Sequence, residues 1–182
     1  MKRLIAGDNA PNFKAKSVYG DSFDLQKALQ GNEKIFLAFH RYASCPICNF
    51  SLRQFQLGYQ ELLDKGVRYV PIFHSGIESM RESYPEAPPF EIISDPNMGI
   101  YKDYGLKPSI TAFLHPKALA DGLKAFNSII QPNYKFRLAP EKTLLTKPAD
   151  FLIGKDGKIL HARYGVSLGD SMSFKDALAL TS

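Results

Sequence analysis

Ile35-Phe36-Leu37-Ala38-Phe39, then His40-Arg41-Tyr42-Ala43-Ser44, then Cys45-Pro46-Ile47-Cys48 is the stretch on which the reading of this chain turns. The first five residues form an unbroken apolar run, the pattern of a strand buried on both faces. After the cysteines, Leu52, Phe55, Tyr59, Leu62 and Leu63 recur at helical steps and stop at Lys65-Gly66, where glycine suits a left-handed C-cap. The order is therefore strand, short loop, cysteine pair, long amphipathic helix. Ser44 is expected to be the N-cap and Pro46 to take the first helical position, where its missing N–H costs nothing. Cys45 then lies at the helix start, where free backbone N–H groups and the helix dipole favour a thiolate, and Arg41 adds a positive charge.

These two are the only cysteines of the 182 residues. A redox pair is the reading their spacing favours. Two others stand beside it: a zinc half-site, against which no second cysteine pair exists and His40, His74, His115 and His161 are scattered, and a pair of inert core thiols. No cofactor and no metal are expected. Composition points to one soluble cytoplasmic domain, residues 1–182, with a sizeable core. No apolar stretch has the length of a membrane span, and the N-terminus lacks the apolar core of a signal peptide. The formal charge of +5 comes from 23 basic against 18 acidic residues. The basic residues are dispersed and accompany no nucleic-acid motif, so neither nucleic acid nor membrane is an expected partner.

Along the rest of the chain, strands are expected at 22–25, 67–73, 91–94, 111–114, 151–153 and 159–162, and helices through residue 29 and at 76–84, 95–104, 116–126 and 173–180. Asp156-Gly157 between two apolar runs is a hairpin signal. The fold class is α/β, a mixed central sheet flanked by helices. Residues 116–146, with Tyr134, Phe136 and Leu138 alternating with Lys135 and Arg137, read as an inserted segment: an added structural layer, or a lid or dimer surface.

Three segments resemble one family in its own order. Gly7-Asp8-Asn9-Ala10-Pro11-Asn12-Phe13 is similar to the opening of peroxiredoxins, Cys45-Pro46-Ile47-Cys48 to the thioredoxin active-site motif, and Pro148-Ala149-Asp150-Phe151-Leu152-Ile153 with Asp156-Gly157-Lys158-Ile159 to a later superfamily segment. Together they resemble the AhpC/TSA superfamily, in a peroxiredoxin-like branch carrying Cys-x-x-Cys. The resemblance implies a thioredoxin-like fold with an N-terminal peroxiredoxin-type extension. It implies a thiol oxidoreductase acting on peroxides or disulfides through Cys45 and Cys48, with thioredoxin or glutathione as reductant, and a homodimer.

The chain also departs from the family. Superposed on the peroxiredoxin motif Pro-x-x-x-Thr-x-x-Cys, Cys48 takes the peroxidatic place, Cys45 the Thr, Arg41 the Pro, and Pro148 the place of a later Arg. The buried acid that thioredoxins place six residues before the first cysteine is replaced by Phe39. Pro148 falls where the superfamily has a cis-proline facing the cysteines. A disulfide reductase would use Cys45 as an exposed nucleophile and Cys48 to resolve the mixed disulfide. In a peroxidase the superposition makes Cys48 the attacker. A third reading is a non-catalytic adaptor or redox sensor. Tyr42, beside Arg41, is a candidate to shield the thiols or touch substrate. His40 reads as structural and His161 as peripheral, and Asp170 near Tyr164 as a cap for the last helix.

Overall fold

The computed structural model describes residues 2–31, 34–108 and 145–181. Among them, strands β1 (Lys14–Ala15), β2 (Phe23–Asp24), β3 (Lys34–Phe39), β4 (Val67–Phe73), β5 (Ile93–Ser94), β6 (Ala149–Ile153) and β7 (Ile159–Tyr164) alternate with helices α1 (Leu25–Gln30), α2 (Pro46–Asp64), α3 (Ile77–Ser83), α4 (Gly99–Asp103) and α5 (Phe174–Ala179). The main sheet has the order β5-β4-β3-β6-β7. β3, β4 and β5 run parallel, and β6 and β7 are antiparallel additions. This is the mixed α/β sheet that the sequence predicts, with β1 and β2 as a small N-terminal hairpin. The elements expected within 109–144, most of the inserted segment included, lie outside the described residues.

The apolar run of β3 is central because it has two faces to bury. Phe36 and Ala38 turn to the side of α2, whereas Ile35, Leu37 and Phe39 join α1, α4 and the N-terminal hairpin. On the α2 side, Phe55 stacks on Tyr69 with ring centroids 4.1 Å apart. Phe55 is 1% exposed, and burial of a side chain of that size contributes roughly 1.5–3 kcal/mol. Lys65 closes the helix and Gly66 leaves it at a φ of 66°, the left-handed turn expected there. On the other side, Phe39 packs against Tyr101, Tyr104 and Phe151 at 5.1, 5.1 and 5.7 Å.

Two elements differ from expectation. The helix expected from Asp95 starts at Gly99, because the Asp95 carboxylate accepts the N–H groups of Gly99, Ile100 and Tyr101 at 3.0, 2.8 and 3.2 Å and so caps the helix from a turn away. Asp170 does not cap the last helix: Ser173 does, its Oγ accepting the N–H of Asp176 at 3.2 Å. Asp170 instead accepts the N–H of Val166 and receives Arg163 at 2.6 Å.

Candidate functional site

The cysteines sit where β3 hands over to α2. The ladder continues one step past the strand, His40 N–H donating to the Ile72 carbonyl at 2.9 Å, and His74 N–H then donates to the Arg41 carbonyl. Ser75 Oγ accepts the Ala43 N–H at 2.8 Å, and Asn49 Nδ2 holds the Ala43 and Cys45 carbonyls. These bonds fix the loop from both sides. Pro46 takes the first helical position as expected. The N-cap, however, is Cys45 and not Ser44: Cys45 Sγ accepts the N–H of Cys48 at 3.4 Å. A sulfur does here what a hydroxyl usually does at a helix start, which leaves Ser44 one residue outside the cap.

Arg41 touches both sulfurs. Its backbone N–H donates to Cys48 Sγ at 3.4 Å, and its guanidinium reaches Cys45 Sγ at 3.8 Å. The same guanidinium lies 5.0 Å from the centre of the Tyr42 ring, which places Tyr42 against the arginine. Cys48 Sγ donates to Cys45 Sγ across 2.7 Å, and both thiols are free. The two sulfurs are in direct contact, the arrangement from which a disulfide forms.

The two thiols are electrostatically unequal. Burial pushes Cys45 up, but the Cys48 hydrogen bond, the Arg41 charge and the N–H groups of Cys48 and Ile47 outweigh it and bring it down to about 7. Cys48 is raised well above the ordinary thiol range, by burial first and then by the hydrogen bond to Cys45 and its negative charge. Above about pH 7 the pair therefore holds one proton, on Cys48, with the thiolate at the helix start. Cys45 is 0% exposed and Cys48 5%, so the expectation of an exposed Cys45 is corrected: it lies in the core cluster with Ala43, Ile47 and Leu52.

The neighbouring histidines are neutral. Burial lowers His40 to about 3; its Nε2 lies 2.9 Å from the Tyr69 hydroxyl and its ring stacks on Phe73, the structural role expected. His74 is lowered to about 4, by burial first, with the Arg41 charge adding to it.

Pro148 departs from expectation. The described residues contain no cis peptide bond, so the Lys147–Pro148 bond is in the ordinary trans state that X–Pro bonds favour. The Pro148 carbonyl accepts the Gly165 N–H at 2.8 Å, and a Cβ on Gly165 would come within 2.9 Å of the proline ring. Pro148 also lines a cleft of about 290 Å³ with Arg3, Lys107 and Tyr164.

Asp150 is the residue that sequence reasoning missed. It pairs with Ala38 in the sheet and is buried on the α2 side, the face that carries the cysteines. Its Oδ2 receives Arg163 Nη1 at 3.1 Å and the Met172 N–H at 3.0 Å. Burial raises it to about 6, against the pull of Arg163. Tyr69 stands near both groups: burial first, then the charges of Asp150 and Cys48, oppose ionisation of its phenol. Phe39, six residues before Cys45, faces the opposite side of the sheet among aromatic rings. The available signal was an acid inside the otherwise apolar strand 149–153.

Among the described residues, no group of three or more His, Cys, Asp or Glu side chains could hold a metal ion, and no helix is long and apolar enough to cross a membrane. No curated protein matches the chain. Solved structures do. A peroxidoxin BcpB from Mycobacterium tuberculosis superposes with a TM-score of 0.70 at 18% identity, over 98% of this chain and 97% of that one. A Cys-to-Ser mutant of the peroxiredoxin 6 of Arenicola marina gives 0.72 at 18%, over 98% and 72%. A putative thiol:disulfide interchange protein DsbE from Chlorobium tepidum gives 0.61 at 15%, over the whole of both chains. At such identities these likenesses establish the thioredoxin-like fold. Residues 6–162 match the AhpC/TSA family, and the chain belongs to that family of thiol-dependent oxidoreductases.

Proposed function

We propose that the protein reduces small hydroperoxides through a Cys45–Cys48 disulfide, with Cys45 as the attacking thiolate. The observation that carries this reading is the 2.7 Å pair in which Cys48 keeps the proton and Arg41 faces the Cys45 sulfur. The thiolate is the nucleophile in thiol chemistry, so the assignment reverses the one that motif superposition gives for a peroxidase. Cys45 attacks the peroxide and becomes sulfenic acid; Cys48 condenses with it, water leaves, and the disulfide forms. Arg41 stabilises the thiolate and the oxygen charge that develops beside it, standing in for the family's later arginine, whose place Pro148 takes. Tyr42 holds Arg41 by its ring, and Pro46 and Ser44 set the helix start.

Burial of both sulfurs supports a small oxidant over a protein disulfide, whose sulfur must align with Cys45 to react. Disulfide exchange is the second reading, favoured by the Cys-x-x-Cys spacing itself and by the likeness to an interchange protein. A thioredoxin- or glutathione-type thiol would restore the dithiol. The whole chain, 1–182, is taken as one domain with 116–146 inserted, working as a cytoplasmic protein and as a homodimer.

Stopped-flow oxidation of the reduced protein by one equivalent of hydroperoxide tests the reading. Oxidation orders of magnitude faster than a free thiol, absent in Cys45→Ser and slowed in Arg41→Ala, is expected. A rate no better than free thiol sinks it and leaves exchange or a non-catalytic adaptor.

A further inference from the structure

Cleaving a peroxide O–O bond leaves an alkoxide or hydroxide, a strong base that must be protonated as it departs. The described groups around Cys45 leave few sources. Water is restricted, because Cys45 is 0% and Cys48 5% exposed. The Arg41 guanidinium is engaged with the Cys45 sulfur and the Tyr42 ring. His40 is neutral and turned to Tyr69, and His74 is neutral as well. The proton closest to the reacting atom is the one on Cys48, whose sulfur lies 2.7 Å from Cys45 Sγ and receives the Arg41 N–H at 3.4 Å.

Resting on the peroxidase reading above, we propose that Cys48 is a catalytic acid before it is the resolving thiol, giving its proton to the leaving oxygen while Cys45 attacks. The step balances as Cys45–S⁻ + ROOH + Cys48–SH → Cys45–SOH + ROH + Cys48–S⁻. The peroxide bond breaks, the Cys45 S–O bond forms, and sulfur supplies the two electrons. In the second step Cys48–S⁻ displaces hydroxide from the sulfenic acid to give the disulfide, and the hydroxide takes up a proton once it has left the site for bulk solvent. One proton transfer thus discharges the leaving group and creates the second nucleophile. The electrostatics run in the same direction: after burial, what holds the proton on Cys48 is the hydrogen bond to Cys45 and the Cys45 charge. Both vanish once Cys45 is oxidised, so the Cys48 thiolate, still opposed by burial, costs less at the moment it is needed. Arg41, donating a backbone N–H to the Cys48 sulfur, stays in place to receive that charge.

The acid role is separable from the resolving role because it acts in the first step. The test is the rate of Cys45 oxidation in wild type, Cys48→Ala and the near-isostere Cys48→Ser, each corrected for the thiolate fraction read from its own ultraviolet titration. The oxidants are hydrogen peroxide, tert-butyl hydroperoxide and peracetic acid, the last leaving a carboxylate that needs no acid. For Cys48→Ala, the two hydroperoxides are expected to slow by about 10²-fold or more, while peracetic acid stays within a few fold of wild type. Cys48→Ser should recover part of the loss. Equal losses for all three oxidants, or none, would overturn the acid role while leaving the peroxidase reading intact. A wild type no faster than free thiol toward the hydroperoxides would remove that reading, and the acid role with it.

Discussion

The two faces of the central sheet are built from the same strands and have opposite chemistry. On one side Phe39, Tyr101, Tyr104 and Phe151 form an aromatic layer, and the tyrosine hydroxyls are spent on backbone carbonyls: Tyr101 on His40 and Ile72, Tyr104 on Pro11. On the other, beneath α2, Cys45, Cys48, His40, Tyr69 and Asp150 are all buried: the cysteines meet each other, His40 meets Tyr69, and Asp150 is held by Arg163 and the Met172 N–H. Apolar burial stabilises without directing chemistry, whereas buried polar groups cost desolvation and return it as shifted proton affinities. The thiolate of Cys45 and the retained proton of Cys48 are consequences of the second arrangement.

The sharpest way to break this division is to mutate one residue on each side. Cys45→Ser is expected to eliminate fast oxidation by peroxide and leave the urea midpoint close to wild type. Phe151→Ala, on the aromatic face, is expected to cost about 3–5 kcal/mol with the oxidation rate per folded molecule unchanged. If Phe151→Ala also slows oxidation of the folded protein, the faces are not separate.

Asp150 measures what the polar face costs. Its folded-state affinity for a proton is raised from 3.8 to about 6. Its contribution to stability is therefore fully present below the unfolded value and is lost as pH rises through about 6, a change on the order of 3 kcal/mol. Asp150→Asn does not titrate. Urea melts of the two proteins at a series of pH values should show wild type losing stability relative to the variant between about pH 4 and pH 7. The opposite trend would mean that the Arg163 ion pair outweighs the burial.

The cover of the polar face is tested at Gly58. A Cβ there would meet the Phe174 ring at 2.1 Å, where α5 lies across α2. Alanine is the better helix former by about 1 kcal/mol, yet Gly58→Ala is expected to destabilise by about 1–3 kcal/mol through overpacking. A neutral or stabilising result in a thermal melt would show that α5 is held loosely.

Much of the aromatic face could be read from the chain alone. An apolar run such as 35–39 can only be buried, Gly66 and Gly157 adopt the left-handed turns that end an element, and both were legible from local rules. The cysteine pair was legible too, because spacing and helix start are local. Most of what failed on the polar face depended on partners distant in sequence. The cap is the exception: Cys45 Sγ accepts the Cys48 N–H three residues on, a sulfur in the place that the preference for hydroxyl caps assigns to Ser44. The loop that carries Cys45 is held at Arg41 by His74 and at Ala43 by Ser75, the latter 32 residues away. Asp150 was hidden because an acid in a strand has no meaning until its neighbours are known, and its partners Arg163 and Met172 lie 13 and 22 residues away.

One group connects the two faces. The Tyr101 hydroxyl, rooted in the aromatic layer, contacts the Ile72 carbonyl at 2.8 Å and the His40 carbonyl at 2.6 Å, and His40 begins the loop that presents Arg41 and both cysteines. A single hydroxyl has one proton, so the two carbonyls share it. Removing it in Tyr101→Phe leaves the ring packing on Phe39 unchanged and is expected to cost about 1 kcal/mol. If the faces act independently, the ionisation midpoint of Cys45, followed through the pH dependence of iodoacetamide alkylation, stays where it is in wild type. A rise in that midpoint would mean that the aromatic layer, by anchoring the His40 carbonyl, also sets how closely the Arg41 guanidinium approaches the thiolate. The division between scaffold and chemistry would then run through the loop and not through the sheet.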